Sequence, residues 1–372
     1  MLTALAIGTF VLLLGLGPAY LWVLAYSCRH SKAKRMPPDA PPQVDIIVPI
    51  YNEAALIESK IAALKQLDYP RSRYRVILVD GCSTDGTLQL VRSAIGQASN
   101  FALITTKVSG KIAQLNAALV KTRAPWIMIT DADAHLPSST LKVLFAEIAA
   151  QPSLHAIGTA VRPETCLWLE RYHWFLSNAL RSLESRCGSA SFVTGPCYLF
   201  QRSLLETFPA DVIADDIHVA LCAHSKGERV GFCRLRVRER RAPSSIAGLW
   251  RHKLRKAQAY LREVFRFLRS TADPRATRHI ALYCRMAQLV LAPLMGMTAV
   301  LLCAAAVITG LQWPTLLILT LLLVAITISP IRRGPVSAAA YLILAGFTAV
   351  ILLAAMLSYP FTVQDACYGR VT

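Results

Sequence analysis

The sequence predicts an α/β fold: a Rossmann-like, mostly parallel sheet with flanking helices, joined to transmembrane α-helices. Three observations carry this. From Val44 to Thr130, short apolar runs alternate with helical patterns, as in a doubly wound sheet. Polar residues cluster just after those runs, at the carboxyl ends of the expected strands, where ligands of such sheets bind. Long uncharged stretches lie on either side of this region. Hydrophobic residues make up 54% of the 372-residue chain and charged residues 17%, against about 25% charged in ordinary globular proteins. That balance excludes a disordered chain and leaves more apolar residues than one water-soluble core takes up.

Residues 1–28 contain no Lys, Arg, Asp or Glu. A helix of that length crosses a bilayer core of about 30 Å. The stretch lacks the basic start and short apolar core of a signal peptide, so it reads as an uncleaved anchor. Arg29, Lys32, Lys34 and Arg35 follow, within a basic linker (29–43) stiffened by Pro37, Pro38, Pro41 and Pro42. Positive flanks stay inside, so the N-terminus is expected outside and the next domain, 44–248, in the cytoplasm. Three further spans are expected over 286–359, turning at Gly310–Pro314 and at Arg332/Arg333, with a tail at 360–372. Four spans place every basic cluster on one side, as in a multi-pass protein of the cell (inner) membrane.

The net charge is +18, and 15 Lys+Arg against 4 Asp+Glu fall between Glu228 and Arg278, net +11. A basic patch suits nucleic acid, but the pattern favours the lipid bilayer. Trp250, Leu254, Ala257, Leu261, Val264/Phe265 and Leu268 recur at helical spacing, interleaved with Arg251, Lys253, Lys256, Arg262, Arg266 and Arg269. An amphipathic basic helix at 249–278, beside a span, is expected to lie in the headgroup plane. Ten cysteines without a Cys-x-x-Cys pair offer no metal spacing, and reduced thiols are expected.

Within the domain, strands are expected at Val44–Val48, Arg75–Val79, Ala102–Thr105 and Trp126–Thr130, with helices at Glu53–Gln66 and Lys111–Lys121. Pro49–Glu53 follows the first strand, Asp80–Gly86 the second and Asp131-Ala132-Asp133 the fourth. Neither a dinucleotide fingerprint nor a P-loop is present, so a nucleotide would be held by carboxylates. Asp-x-Asp arises often by chance; at a strand end its carboxylates converge, and hard divalent cations take such oxygens together with phosphate oxygens. Asp80 also reads as an Asx-turn, Asp85 and Ser83 as caps of the next helix, Lys111 as a solvated helix residue and Asn116 as a surface amide. Asp215 and Asp216 are adjacent acids in an apolar setting, and mutual repulsion suits one of them to general-base work. Asp215 reads equally as a helix N-cap. Thr194-Gly195-Pro196 is a turn by composition. Trp168, Tyr172, Trp174 and Phe175 belong on an amphipathic helix facing core or membrane.

Taken in order, Val-Pro-x-Tyr-Asn-Glu (48–53), Val-Asp-Gly-x-Ser-x-Asp (79–85), Gly-Lys…Leu-Asn (110–116), Asp-Ala-Asp (131–133), Thr-Gly-Pro (194–196) and Asp-Asp (215–216) resemble the family 2 glycosyltransferases. The likeness is to their membrane-embedded branch, with cellulose, chitin and hyaluronan synthases and ceramide glucosyltransferase, and covers about Val44 to Lys256. It implies a GT-A fold and inverting transfer from a nucleotide-sugar, a UDP-sugar by expectation. By the same resemblance, Tyr51, Glu53, Asp80 and Lys111 hold the nucleotide, Asp131 faces the ribose and diphosphate, and Asp133 binds Mg²⁺ or Mn²⁺. Gly195 and Asp215 flank the substrates, Asp216 is the catalytic base, and Arg255 stands in for a diphosphate-binding arginine. The processive members' Gln/Arg-x-x-Arg-Trp is absent from 249–256. This favours transfer of one or a few sugars to a membrane-associated acceptor: a glycolipid, lipid-linked saccharide or polysaccharide intermediate. A processive polysaccharide synthase is the same-class alternative. A transporter or flippase would want ionisable residues inside the spans, which are almost bare of them. Nucleic-acid binding gives no use for Asp80, Asp131, Asp133 and Asp216, which would repel phosphate.

Overall fold

The computed structural model describes residues 40–270 and 338–362, with Tyr20, Leu24, Leu282, Tyr283, Arg285, Met286 and Leu289. Its frame is one eight-stranded sheet. In chain order the elements are β1 (Val44–Ile50), α1 (Ile57–Lys65), β2 (Tyr74–Asp80), α2 (Thr87–Ile95), β3 (Phe101–Thr105), α3 (Lys111–Leu119), β4 (Trp126–Thr130), β5 (Ala134–His135), α4 (Thr140–Ala150), β6 (Leu154–Pro163), α5 (Trp168–Arg186), β7 (Cys197–Gln201), α6 (Asp215–Ser225), β8 (Arg229–Glu239), α7 (Ile246–Ser270) and α8 (Ala338–Thr362).

The strand order is β3-β2-β1-β4-β7-β6-β8-β5. The four expected strands are parallel neighbours, with Val44 opposite both Tyr74 and Trp126. Beyond them the sheet is mixed, with four of its seven strand pairings parallel. β7 runs antiparallel to both β4 and β6, β5 runs antiparallel to β8, and only β6 with β8 restores parallel pairing. The sheet is mixed because the chain returns beside β4 in the opposite sense instead of making another right-handed crossover.

All seven residues of β1 are buried, because helices cover both faces of the sheet. Side chains alternate between two cores. Ile46, Val48, Val76, Leu78 and Met128 meet Ile57 and Ile61 of α1 and Leu144 and Phe145 of α4. Ile47, Ile77, Val79, Ile127 and Ile129 meet Leu115 of α3, Ile217 of α6 and Val264 of α7. At the base of the sheet, buried Asp45 accepts hydrogen bonds from the backbone N–H groups of Arg123 (2.7 Å) and Ala124 (3.0 Å) and from Arg75 Nε (3.0 Å). One carboxylate thus ties β1, β2 and the entry to β4.

The expected membrane-surface helix forms as α7 (Ile246–Ser270). Ala257 and Leu261 of α7 are buried against Ile351, Leu352 and Ala355 of α8, and Trp250 lies edge-on to Phe347. Ala259, Val264 and Phe267 join the domain core. Protein covers most of the apolar face assigned to lipid. Among the described residues no helix is long and apolar enough to cross a membrane. The expected spans at 1–28 and 286–331 lie outside them apart from isolated positions. The last expected span overlaps α8. Cys82, Cys166, Cys197, Cys222 and Cys233 are free thiols, as expected, whereas Cys187 is disulfide-bonded.

Gly158 in β6 faces backbone: a Cβ there would stand 3.0 Å from Thr194 N and from Val193 Cα. Gly158→Ala is expected to destabilise the domain by about 1–3 kcal/mol, read as a lowered urea midpoint with an unchanged slope.

Candidate active site

The loops after β1 and β2 are laced together. Asn52 takes a left-handed backbone (φ 53°), which asparagine tolerates. Its N–H donates to Ser83 Oγ (2.8 Å), and its Oδ1 accepts from Thr84 N–H (2.7 Å). Glu53 N–H donates to Thr87 Oγ1 (2.7 Å), and Ala54 N–H to Asp85 Oδ2 (3.2 Å). Asp85 and Ser83 therefore do more than start the next helix, whose N-cap is Gly86 at φ 85°. Asp85 accepts Thr87 N–H at 3.1 Å; burial opposes its charge, but these hydrogen bonds hold its carboxyl below the usual range.

Asp80 ends β2 and is buried. Its Oδ2 accepts Ser83 N–H (3.2 Å), as an Asx-turn does, while Oδ1 is buried without a hydrogen-bond partner. Behind it, Gln114 Nε2 of α3 donates to Ile50 O (2.5 Å) and Val79 O (2.7 Å), fastening the ends of β1 and β2. Gly81 is required there, since a Cβ would stand 2.7 Å from Gln114 Nε2.

Lys111, at the start of α3, is not a solvated residue. Its Nζ lies 2.9 Å from Asp131 Oδ1 and 2.9 Å from Asp215 Oδ1. Asp215 is buried and also accepts Tyr198 O–H at 2.5 Å. Ala214 is the N-cap of α6, without a side-chain cap, so Asp215 is not capping. Asn116 is not a surface amide: it exchanges both hydrogen bonds with the Phe208 backbone, each 2.8 Å. Asp216 is half-buried, and a Cβ on Gly195 would lie 3.4 Å from its Oδ2, so glycine leaves room beside that carboxylate. Burial, then Asp215, push the Asp216 carboxyl up to about 6, against Lys111 and Lys256.

Asp133 reaches about 6 through burial, then Asp131 and Glu53, with Arg241 and Lys60 pulling the other way. Arg241 forks onto Glu53, with Nη1 2.9 Å from Oε1. Lys60 is buried beneath, donating to Thr130 Oγ1 (2.8 Å) and Ala134 O (2.6 Å), and burial lowers its pKa to about 8. Among the described residues no group of three His, Cys, Asp or Glu side chains forms a complete metal site. Asp131 and Asp133, which repel each other at the strand end, fit a hard divalent cation that keeps most of its shell for phosphate and water.

One rim therefore collects Tyr51, Glu53, Asp80, Lys111, Asp131, Asp133, Gly195, Asp215 and Asp216 from four strand ends and two helix starts. Arg255 lies on α7 beside Lys256, the α7 cation whose charge acts on Asp216. Lys60, Gln114, Tyr198, Glu239, Arg241 and Lys256 were not singled out as site residues from sequence. Arg241 and Lys256 lay inside the basic segment, with no spacing to mark them.

A mixed sheet flanked by helices, with acids gathered at its carboxyl rim, is a GT-A-like arrangement. Residues 45–208 match the model of Glycosyl transferase family 2. The chain is 25% identical over 256 residues to an N-acetylglucosaminyltransferase of Neorhizobium galegae, covering 63% of this chain and 58% of that protein. It is 22% identical over 244 residues to the poly-beta-1,6-N-acetyl-D-glucosamine synthase of Staphylococcus aureus, covering 62% and 58%. The chain thus spans about three fifths of the length of these curated relatives. The structure of mannosyltransferase PcManGT from Pyrobaculum calidifontis, in complex with GDP-Man and Mn²⁺, superposes with a TM-score of 0.77 at 27% identity, covering 97% of this chain and 99% of that one.

Tyr198→Phe takes one donor from the buried Asp215 carboxylate. It is expected to cost about 1–3 kcal/mol, measured by chemical denaturation beside the parent protein.

Proposed function

We propose that the protein is an inverting glycosyltransferase that moves a sugar from a nucleotide-sugar to a hydroxyl of a membrane-associated acceptor. The observation that carries this is the bridge from Asp131 through Lys111 to Asp215, which sets a donor-side carboxylate and the base pair Asp215–Asp216 in one ion-paired cluster. Tyr51, Glu53, Asp80 and Lys111 hold the nucleotide, Asp131 faces the ribose and diphosphate, and Asp133 holds Mg²⁺ or Mn²⁺. A bound divalent cation supplies neutralisation of charge on the departing diphosphate. PcManGT, bound to GDP-Man and Mn²⁺, supports both the donor class and the metal.

Asp216 accepts the acceptor hydroxyl's proton as the hydroxyl oxygen bonds to the sugar's anomeric carbon. The bond from that carbon to the diphosphate oxygen breaks, and its electron pair leaves with the nucleoside diphosphate. Inversion follows from this single displacement. Asp215 pairs with Lys111 and accepts the Tyr198 hydroxyl, and as the neighbouring acid it raises the Asp216 carboxyl toward the range of a general base. Support for a membrane acceptor comes from the uncharged stretches of the sequence and from α7. That helix carries Lys256 toward Asp216 while its other side packs on the uncharged α8.

Membranes carrying the chain, incubated with radiolabelled UDP-GlcNAc or GDP-Man, are expected to transfer label into the lipid extract, and EDTA is expected to stop this. Asp216→Asn should lower kcat by about 10²–10⁴-fold while leaving donor affinity unchanged by equilibrium dialysis. Unaltered turnover would remove the base assignment. Below a pH of about 6 Asp216 takes up a proton and can accept no other, so the rate should fall on the acidic side of that value. A rate flat from pH 5 to 8 would contradict it.

A further inference from the structure

The buried face of α5 is polar. Glu170, Trp174, Ser177, Arg181 and Ser185 recur at spacings of three and four and are all buried. Across from it α7 presents Lys253, Lys256 and Tyr260. Lys253 Nζ lies 2.7 Å from Glu170 Oε2, and Lys253 and Lys256 stand 5.8 and 5.6 Å from the centre of the Trp174 ring. An interhelical face of this kind is ordinarily apolar. Here it carries the cations Arg181, Lys253 and Lys256, with Arg285 near Arg181 and Tyr260. The acids facing them are Glu170 and Glu239, with Glu184 beside Arg181 and Asp216 at the inner end.

Glu184 is already engaged, by Tyr20 O–H (3.0 Å) and by Ser191 N–H (2.9 Å) and O–H (2.7 Å). Burial pushes Glu239 up to about 7, and burial and then the surrounding cations hold His173 well below its ordinary range and bring His252 down to about 2. Two donors are also left over. Arg181 Nη1 and Trp174 Nε1 are buried without a hydrogen-bond partner, in side chains 6% and 5% exposed. Buried donors are nearly always paired, so such a pair calls for a ligand.

We propose that this site between α5 and α7 receives the phosphate of an anionic membrane lipid, the acceptor whose hydroxyl is presented to Asp216. The proposal rests on the transferase reading above and names its acceptor class. Arg181, Lys253 and Lys256 bind the phosphate charge, and Trp174 adds an N–H donor. The donor diphosphate is served elsewhere, by Lys111 and the carboxylates on the opposite side of Asp215. A lipid tail would lie along the uncharged helix α8, on which α7 packs through Ala257 and Leu261.

The test uses the full chain in maltoside micelles, which carry no phosphate. Radiolabelled phosphatidylglycerol, diacylglycerol and glycerol 3-phosphate are titrated separately, and nucleotide-sugar affinity is read on the same samples. Saturable binding of phosphatidylglycerol is expected, at least about tenfold tighter than diacylglycerol, which keeps a hydroxyl but lacks the phosphate. Lys253→Gln should weaken it by about tenfold and leave nucleotide-sugar affinity unchanged, and Lys256→Gln should weaken it by a similar factor. Trp174→Phe, which keeps a ring and removes only the N–H donor, should weaken it less; it covers the case in which Arg181→Met does not fold. Equal binding of diacylglycerol, or variants with unaltered lipid binding, would overturn the proposal. Variants that lose nucleotide-sugar affinity instead would give the cluster to the donor diphosphate. Glycerol 3-phosphate binding as tightly as the lipid would make a soluble phosphate ester the ligand. Parent protein that binds the lipid but no nucleotide-sugar would sink the transferase reading alone.

Discussion

The Lys111 ammonium, 2.9 Å from both Asp131 and Asp215, is the constraint on which the site depends. Those carboxylates come from elements far apart in the chain: a turn after the central strand β4 and the first turn of α6. Without a cation between them they would repel across a largely buried space, where charge interactions are strongly felt. With it, the rim of the parallel half of the sheet and the helix carrying Asp216 are held at fixed separation. Tyr198 completes the arrangement, because β7 lies antiparallel beside β4 and brings its hydroxyl under Asp215. The antiparallel strand that departs from the expected topology is thus the one that supports the acidic pair.

A second clamp ties α6 to α7. His218 Nδ1 is 2.8 Å from Glu263 Oε2. Burial opposes charge on that imidazole, yet Cys222 and Glu263 raise it to about 9. At neutral pH this is a buried ion pair, costly to break from one side. Two residues after Asp216, it fixes α6 against the helix that supplies Lys256. The orientation of Asp216 is consequently set from both ends, by Lys111 and Tyr198 acting through Asp215 and by Glu263 acting through His218. Near-attack geometry of this sort is where an enzyme gains most from rigidity.

Much of this was legible in the sequence, for a physical reason. The four parallel strands are buried on both faces and so read as unbroken apolar runs, and their polar ends are conspicuous against them. Glu53, Asp80, Asp131 and Asp133 stand out by position at those ends, whereas Asp216 and the roles of all five rest on the family resemblance. The second half of the sheet gave no such contrast. β6 contains Gly158, placed for close approach to the Val193–Thr194 backbone, and β8 alternates basic and apolar residues from Phe232 to Glu239. Its charges hid it within the basic segment. The same segment concealed Arg241 and Lys256, whose roles depend on a tertiary neighbour, Glu53 for one and Asp216 for the other. Burial of the apolar side of α7 under α8 was equally invisible, since amphipathic periodicity reports that a face is covered and not by what.

Asp133 and Asp216 are both pushed to about 6, chiefly by burial and then by a neighbouring acid. In the proposed reaction the two perturbations meet opposite ends. A divalent cation at Asp133 would cancel the like-charge repulsion and the burial cost together, fixing that group as an anion throughout the cycle. Asp216 lies near Lys256 and Lys111, whose attraction is already spent in the value it has, and no further cation is needed there. It remains free to gain and lose a proton near neutral pH. Two carboxyls with similar environments in the empty protein are thereby separated into a permanent anion and a titrating base by the arrival of the donor complex.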